Sequence, residues 1–239
     1  MLSCDQLIIC NFFVNFELMQ IVNLSAKELS KSYNGFDFVF SNLTFEIKSG
    51  EIFGILGPNG SGKSTLLRIL SRLTSPTDGR VICTLDGKEI AAEEQIKIQG
   101  FVAPYLTLFE EFKPLEHIEI VFKIRSEKYS KSEVLKLIEL FELTKSLHKP
   151  IKEYSSGMKQ RFKFILALIS SPKLLFLDEP FTNLDELGIE KVISIIEQLK
   201  QEGKIIVIAT NDKREASLCN KTINLKQSAA DKPNLDASV

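Results

Sequence analysis

The sequence predicts an α/β chain in which a parallel sheet is combined with an antiparallel β layer and an inserted helical subdomain. Three observations carry this. Residues 52–56, 174–177 and 205–209 are unbroken apolar runs, the pattern of strands buried on both faces of a parallel sheet. Residues 21–33 and 38–47 alternate apolar and polar side chains and are joined through Asn34-Gly35, a hairpin signal. From Pro114 to about Ile169 the periodicity is almost wholly helical.

Taken in chain order, residues 1–18 hold a short apolar stretch, 7–13, preceded by Asp5 where a signal peptide carries basic residues. Asn15 and Glu17 follow with no small-residue cleavage site, so no signal peptide is read there. Met19 opens a cleaner strand-like segment. The first 18 residues are therefore read either as sequence ahead of a start at Met19 or as an extra edge strand. Residues 19–226 are read as one domain, with the helical subdomain at about 105–170, and 227–239 as a polar tail.

Within the domain, residues 80–85 and Asp86-Gly87 read as a further strand and turn. Ser130 and Glu133 form a capping-box pattern, and Val134, Leu137, Ile138 and Phe141 then line one helix face. Ile189, Val192, Ile193 and Ile196 repeat that spacing before Gly203, a helix stop.

A chain of 239 residues, 44% hydrophobic and 26% charged, buries enough surface to fold without staples, and it excludes disorder, collagen and coiled coil. Thirty basic and thirty-one acidic side chains leave a net charge of -1, without the basic excess that dominates nucleic-acid affinity. No nucleic-acid partner is expected. Cys4, Cys10, Cys83 and Cys219 form no CxxC pair and, with only His117 and His148 beside them, make no zinc set. No apolar run approaches the ~18 residues of a membrane helix.

Gly57-Pro58-Asn59-Gly60-Ser61-Gly62-Lys63-Ser64-Thr65 follows a buried-strand pattern and precedes the helical pattern of Leu66, Leu67, Ile69 and Leu70. Strand, glycine-rich turn and helix start are the context of a phosphate-binding loop, so the core is read as a P-loop NTPase. Glycines let successive N–H groups point at a polyphosphate, and the helix dipole adds positive charge. Lys63 neutralises the β- and γ-phosphates, and Ser64 supplies a hydroxyl to Mg²⁺. Leu174-Leu175-Phe176-Leu177 then ends in Asp178-Glu179-Pro180. Acids at the C-terminal edge of a parallel strand lie where open α/β sheets bind ligands. Asp178 is read as a metal-side carboxylate, and Glu179 as the base that takes a proton from the attacking water.

These residues resemble the ATP-binding cassette (ABC) ATPase family, and the resemblance extends over roughly residues 19–225. Its most specific element is Tyr154-Ser155-Ser156-Gly157-Met158-Lys159-Gln160-Arg161, where the family carries Leu-Ser-Gly-Gly-Gln. Ser155 and Gly157 match; Tyr154, Ser156 and Met158 depart. Independently, Ser155 suits a helix N-cap and Gly157 a close approach. The resemblance implies that this segment completes the nucleotide site of a partner subunit. It also implies that Tyr33 stacks on adenine, against the competing reading of a strand-end packing residue, and that Asp185, in Thr182-Asn183-Leu184-Asp185, organises a dimer contact. Lys213-Arg214-Glu215-Ala216 resembles the stretch after the last core strand. ATP and Mg²⁺ are the implied cofactors. The implied partners are a second ATPase subunit, as a homodimer, and an integral membrane transporter subunit served from the cytoplasmic face of the cell membrane.

Two positions depart from the family. Gly100-Phe101-Val102-Ala103-Pro104 sets Pro104 where a glutamine is expected, with Gln99 too far upstream to replace it, and Ile208-Ala209-Thr210-Asn211 sets Asn211 at a histidine. Proline offers no side-chain ligand, and Asn reaches a γ-phosphate without carrying charge. Catalysis is then expected to rest on Glu179 and to be slow. Two functions follow: an energy-coupling ATPase, for which Tyr105, Leu106, Leu108, Phe109 and Phe112 line a groove for a partner helix, or a nucleotide-dependent clamp with little hydrolysis. Retention of Glu179 favours the first. The subtype implied is a small exporter ATPase. Chromosome-organising ATPases need a long heptad region, two-cassette factors a second phosphate loop, and GTPases an Asn-Lys-x-Asp run; none is present in the sequence.

Overall fold

The computed structural model describes residues 20–125 and 129–225; the 1–18 extension, Met19 and the 227–239 tail lie outside them. Among the described residues, nine strands form two sheets. The first is antiparallel, with β1 (Val22–Ser32), β2 (Phe38–Lys48), β4 (Asp78–Leu85) and β5 (Lys88–Glu89) in the order β2-β1-β4-β5. The second is parallel, with β3 (Ile52–Leu56), β6 (Gln99–Val102), β7 (Leu174–Asp178), β8 (Ile205–Thr210) and β9 (Lys221–Asn224) in the order β6-β7-β8-β3-β9. The expected hairpin closes through Asn34, whose Oδ1 accepts from the N–H groups of Phe36 and Asp37 at 3.0 and 2.8 Å.

The unbroken apolar runs are explained by two cores. Successive strand residues point to opposite faces. Leu174 and Phe176 of β7, and Ile205, Val207 and Ala209 of β8, therefore pack with the antiparallel sheet and with α1 (Lys63–Leu70). Leu175, Leu177, Ile206 and Ile208 enter a second core. Phe45 of β2 stacks on Phe53 of β3 at 4.9 Å and joins the two sheets.

That second core also receives α3 (Pro114–Arg125), α4 (Lys131–Leu140), α5 (Ser156–Leu168) and α6 (Glu186–Gln201), while the short α2 (Ala92–Lys97) and α7 (Lys213–Ser217) complete the chain. Ser130 caps α4 by accepting from the Glu133 N–H at 3.4 Å. Val134, Leu137, Ile138 and Phe141 are all buried, as the spacing predicts. The strands that the sequence does not reveal are the two-residue β5 and, in the parallel sheet, β6 and β9. Strands β6 and β9 lie at sheet edges, are four residues long, and carry polar residues: the Gln99 amide donates to the Ser71 carbonyl at 2.7 Å instead of lying in an apolar run.

Cys83 and Cys219 are free thiols, pushed up to about 11 and about 12 chiefly by burial. Among the described residues, no helix is long and apolar enough to cross a membrane.

Candidate active site

The loop between β3 and α1 wraps around the Lys63 side chain. Lys63 is 5% exposed, and its Nζ donates to the carbonyls of Gly57 and Pro58 at 2.9 and 3.0 Å. Gly62, at the helix N-cap, has φ +95°, and a Cβ there would lie 2.4 Å from Val39 Cγ1. Only glycine meets both conditions. The first turn of α1 carries no acidic residue, so its amides and dipole stay uncompensated for an anion. Ser61 is buried in the same loop and its Oγ has no partner. Tyr33 is 68% exposed, with its Oη 3.3 Å from Thr65 Oγ1 and Lys31 Nζ 4.9 Å from its ring centre. So exposed a ring is not a packing residue. It stands at the edge of the loop.

Sheet order then assembles the rest, because β7, β8 and β3 are neighbours and their C-terminal ends lie side by side. Asp178 ends β7 at 2% exposure. Burial raises its pKa above the usual carboxylate range, opposed by hydrogen bonds from the Ser64 and Tyr105 hydroxyls and by the charges of Arg68 and Lys63. Its Oδ2 has no protein partner. A buried, partnerless carboxylate oxygen beside the Ser64 hydroxyl is a hard-oxygen donor set, and it fits a small divalent cation such as Mg²⁺. Glu179 follows at φ +45°, an uncommon conformation for a non-glycine residue, while its N–H donates to the Ala209 carbonyl at 2.9 Å. It lines a cleft of about 290 Å³ with Thr182, Asn211 and Glu215. From the end of β8, Asn211 Nδ2 donates to Asn59 Oδ1 at 2.8 Å, which ties this strand end to the phosphate loop.

Ser155, Gly157 and Asp185 gather elsewhere. Ser155 caps α5 by accepting from the Met158 N–H at 3.2 Å, and a Cβ on Gly157 would lie 2.9 Å from the Asn183 carbonyl. Asp185 caps α6 by accepting from the Gly188 N–H at 3.0 Å and pairs with Arg161 at 2.7 Å. Gln160 donates to the Pro180 carbonyl at 3.1 Å. Gln160 and Arg161 therefore fasten α5 to the turns that follow β7. Tyr154, which departs from the family pattern, buries its ring against Phe162 and donates its hydroxyl to the Ser146 carbonyl at 3.0 Å. Helix α5 lies on β6, so closely that a Cβ on Gly100 would be 2.4 Å from the Ala167 carbonyl. Since β6 and β3 are three strand spacings apart, the strand carrying α5 is roughly 14 Å from the one carrying the loop.

A family model described as ABC transporter matches residues 40–182, which include the loop, the Ser155 segment and the Asp178-Glu179 pair. The chain belongs to the ABC transporter family. The lantibiotic transport ATP-binding protein SrtF of Streptococcus pyogenes is 36% identical over 188 residues, 79% of this chain and 80% of that protein. The lipoprotein-releasing system ATP-binding protein LolD of Aquifex aeolicus is 34% identical over 214 residues, 85% and 93% of the two chains. A solved structure described as a post-hydrolysis dimer of the ATP-binding cassette MJ0796, bound to ADP and Pi, superposes with a TM-score of 0.74 at 27% identity, covering 89% of this chain and 98% of that one. The protein is thus an ABC cassette with the family's mixed α/β fold and ATPase activity.

At Pro104, which stands where the family carries a glutamine, it is the backbone that makes contacts. Its carbonyl and that of Ala103 accept from the buried Lys163 Nζ at 2.7 and 3.0 Å. The side chain near enough to act on the metal-side acid is the next one, Tyr105, whose hydroxyl lowers the Asp178 pKa. Counted only among the apolar residues of 105–112, its hydroxyl was the signal to follow. Of that stretch, Tyr105, Phe109 and Phe112 are exposed, whereas Leu108 is a core residue at 7% exposure.

Glu215 is a second residue whose role the sequence does not reveal. It is 2% exposed, and its Oε1 accepts from the Phe181 N–H at 2.7 Å, bracing the turn that carries Glu179. Burial, with Asp212 and Glu179 adding repulsion, pushes its carboxyl up to about 7 against the opposing hydrogen bonds from Thr210 and Phe181. Because the folded value is raised, its contribution to stability is full below the unfolded carboxylate range and is lost as pH rises through about 7. Glu215→Gln keeps the acceptor for Phe181 and cannot ionise. The substituted protein should melt several degrees higher than the native one at pH 8.5, with the difference fading towards pH 5, as calorimetry at both pH values will show. An equal difference at the two pH values would exclude the buried charge as its cause.

Proposed function

We propose that this cassette hydrolyses ATP as a dimer of two copies of the chain and drives an integral membrane transporter subunit from the cytoplasmic face of the membrane. The observation that carries this reading is the adjacency, across β8, of the Lys63 cradle and the Asp178-Glu179 pair. Lys63 and the loop amides take up the charge of the β- and γ-phosphates. Ser64 and Asp178 hold Mg²⁺, which when bound neutralises phosphate charge. Glu179 accepts the proton of a water that attacks the γ-phosphorus in line, while the bond to the ADP oxygen breaks. Asn211, held by Asn59, offers an amide to the γ-phosphate side, and Tyr33 a ring for the adenine.

The separation of the Ser155 helix end from the loop supports the dimer: a capped helix start with exposed serines is an anion site that needs a phosphate held by another chain. Exposed Tyr105, Phe109 and Phe112 fit the docking of a membrane subunit's helix. The names of SrtF and LolD place those relatives in transport systems, which supports the same role here. The clamp reading rests on Pro104 and Asn211 alone, and the engaged Tyr105 and the retained Glu179 weigh against it. Steady-state phosphate release from ATP and MgCl₂, measured as protein concentration rises, is expected to increase more steeply than linearly as dimers form. Binding of ATP with no release at any concentration, membrane partner present or absent, would favour the clamp.

A further inference from the structure

Tyr105 is held from two directions. The buried Lys163 grips the two carbonyls that precede it, at 3.0 and 2.7 Å, so its backbone is fixed at the end of β6. Arg68, on the helix that begins at the phosphate loop, lies 4.1 Å from the ring centre and donates Nε–H to Tyr105 Oη at 3.1 Å. Val102 of β6 pairs with Leu177 of β7, so the chain leaving β6 runs beside Asp178, and the Tyr105 hydroxyl lies near enough to act on that carboxyl. A phenol has one proton. With its oxygen accepting from Arg68, that proton is left free to turn towards Asp178.

We propose that Tyr105 is the positioning residue for Asp178, its hydroxyl holding the carboxylate so that the partnerless, buried Oδ2 presents itself to a divalent cation. The assignment rests on reading Asp178 as a metal-side acid. Outer hydrogen bonds of this kind orient a ligating carboxylate and typically contribute 10- to 100-fold in metal affinity. The ring alone cannot do this. Its contact with Arg68 explains an aromatic at this place, while the hydroxyl explains a tyrosine.

The test is Tyr105→Phe in the full chain, which retains the ring on Arg68 and removes only the hydroxyl. ATP binding is titrated at equilibrium, first in EDTA and then with increasing MgCl₂. Affinity in EDTA should match the native protein, and the MgCl₂ concentration giving half of the metal-dependent gain should rise about tenfold or more. An unchanged MgCl₂ midpoint overturns the proposal. So does an equal loss of affinity in EDTA and in MgCl₂, since that would mean a general structural role. Because the readout is binding, a native protein that binds ATP without releasing phosphate would refute the ATPase reading and leave this result interpretable.

Discussion

Glu179→Gln is expected to reduce single-turnover ATP hydrolysis by about a thousandfold, within the 10² to 10⁴ range of a positioned general base, while ATP affinity stays within a few-fold of native. The backbone of the turn is held independently of the side chain. The Glu179 N–H donates to Ala209, its carbonyl accepts from the Thr182 N–H at 3.1 Å, and Glu215 holds Phe181. An amide of nearly the same shape can then occupy the carboxylate's place without moving Asp178. It cannot accept the proton of the attacking water. Bound ATP should persist, and with it the two-copy assembly. Size-exclusion chromatography with ATP and MgCl₂ should therefore show a dimer peak for the variant that in the native protein decays as nucleotide is consumed. Hydrolysis at the native rate would remove Glu179 from the role of base and move attention to the other acids of the cleft, Asp212 and Glu215.

What could be read from the sequence divides along physical lines. The phosphate loop and the Asp178-Glu179 strand are local: each is a contiguous run whose neighbours state its context, and the buried strands announce themselves because both of their faces are apolar. Helices α4 and α6 were equally plain, since cap and stripe for the first, and stripe and stop for the second, lie within one segment. Edge strands β6 and β9 were not, because an edge needs no continuous apolar run. Tyr105 and Glu215 could not be assigned either. Each acts through a partner far along the chain, Arg68 and Asp178 for the first and Phe181 for the second, and only the fold brings those pairs together. Asn211 shows the same limit from the other side. It stands at the family's histidine position, and its bond to Asn59, which joins the end of β8 to the phosphate loop, lies 152 residues away in sequence.

Lys63→Ala is expected to lower ATP affinity by about a hundredfold or more, the scale of losing a charge-assisted contact to phosphate inside a partly desolvated site, roughly 3 kcal/mol. Two effects act in the same direction. The ammonium is the buried cation of the cradle, at 5% exposure, so no other side chain of the loop can replace its charge. It also bridges the carbonyls of Gly57 and Pro58, and its loss leaves them without that donor just where nucleotide phosphates bring further negative charge. Lys63→Arg separates the two effects. It keeps the charge, but a planar guanidinium is too broad for a pocket closed by Gly62 packed on Val39 and by buried Ser61. If fit matters as much as charge, arginine should rescue little of the affinity lost with alanine. Fluorescent-nucleotide titration of the three proteins, each checked for an unchanged melting temperature without nucleotide, decides the matter. Native affinity in Lys63→Ala would show that the loop amides and the α1 dipole hold the phosphates unaided, and full rescue by arginine would show that charge alone is required.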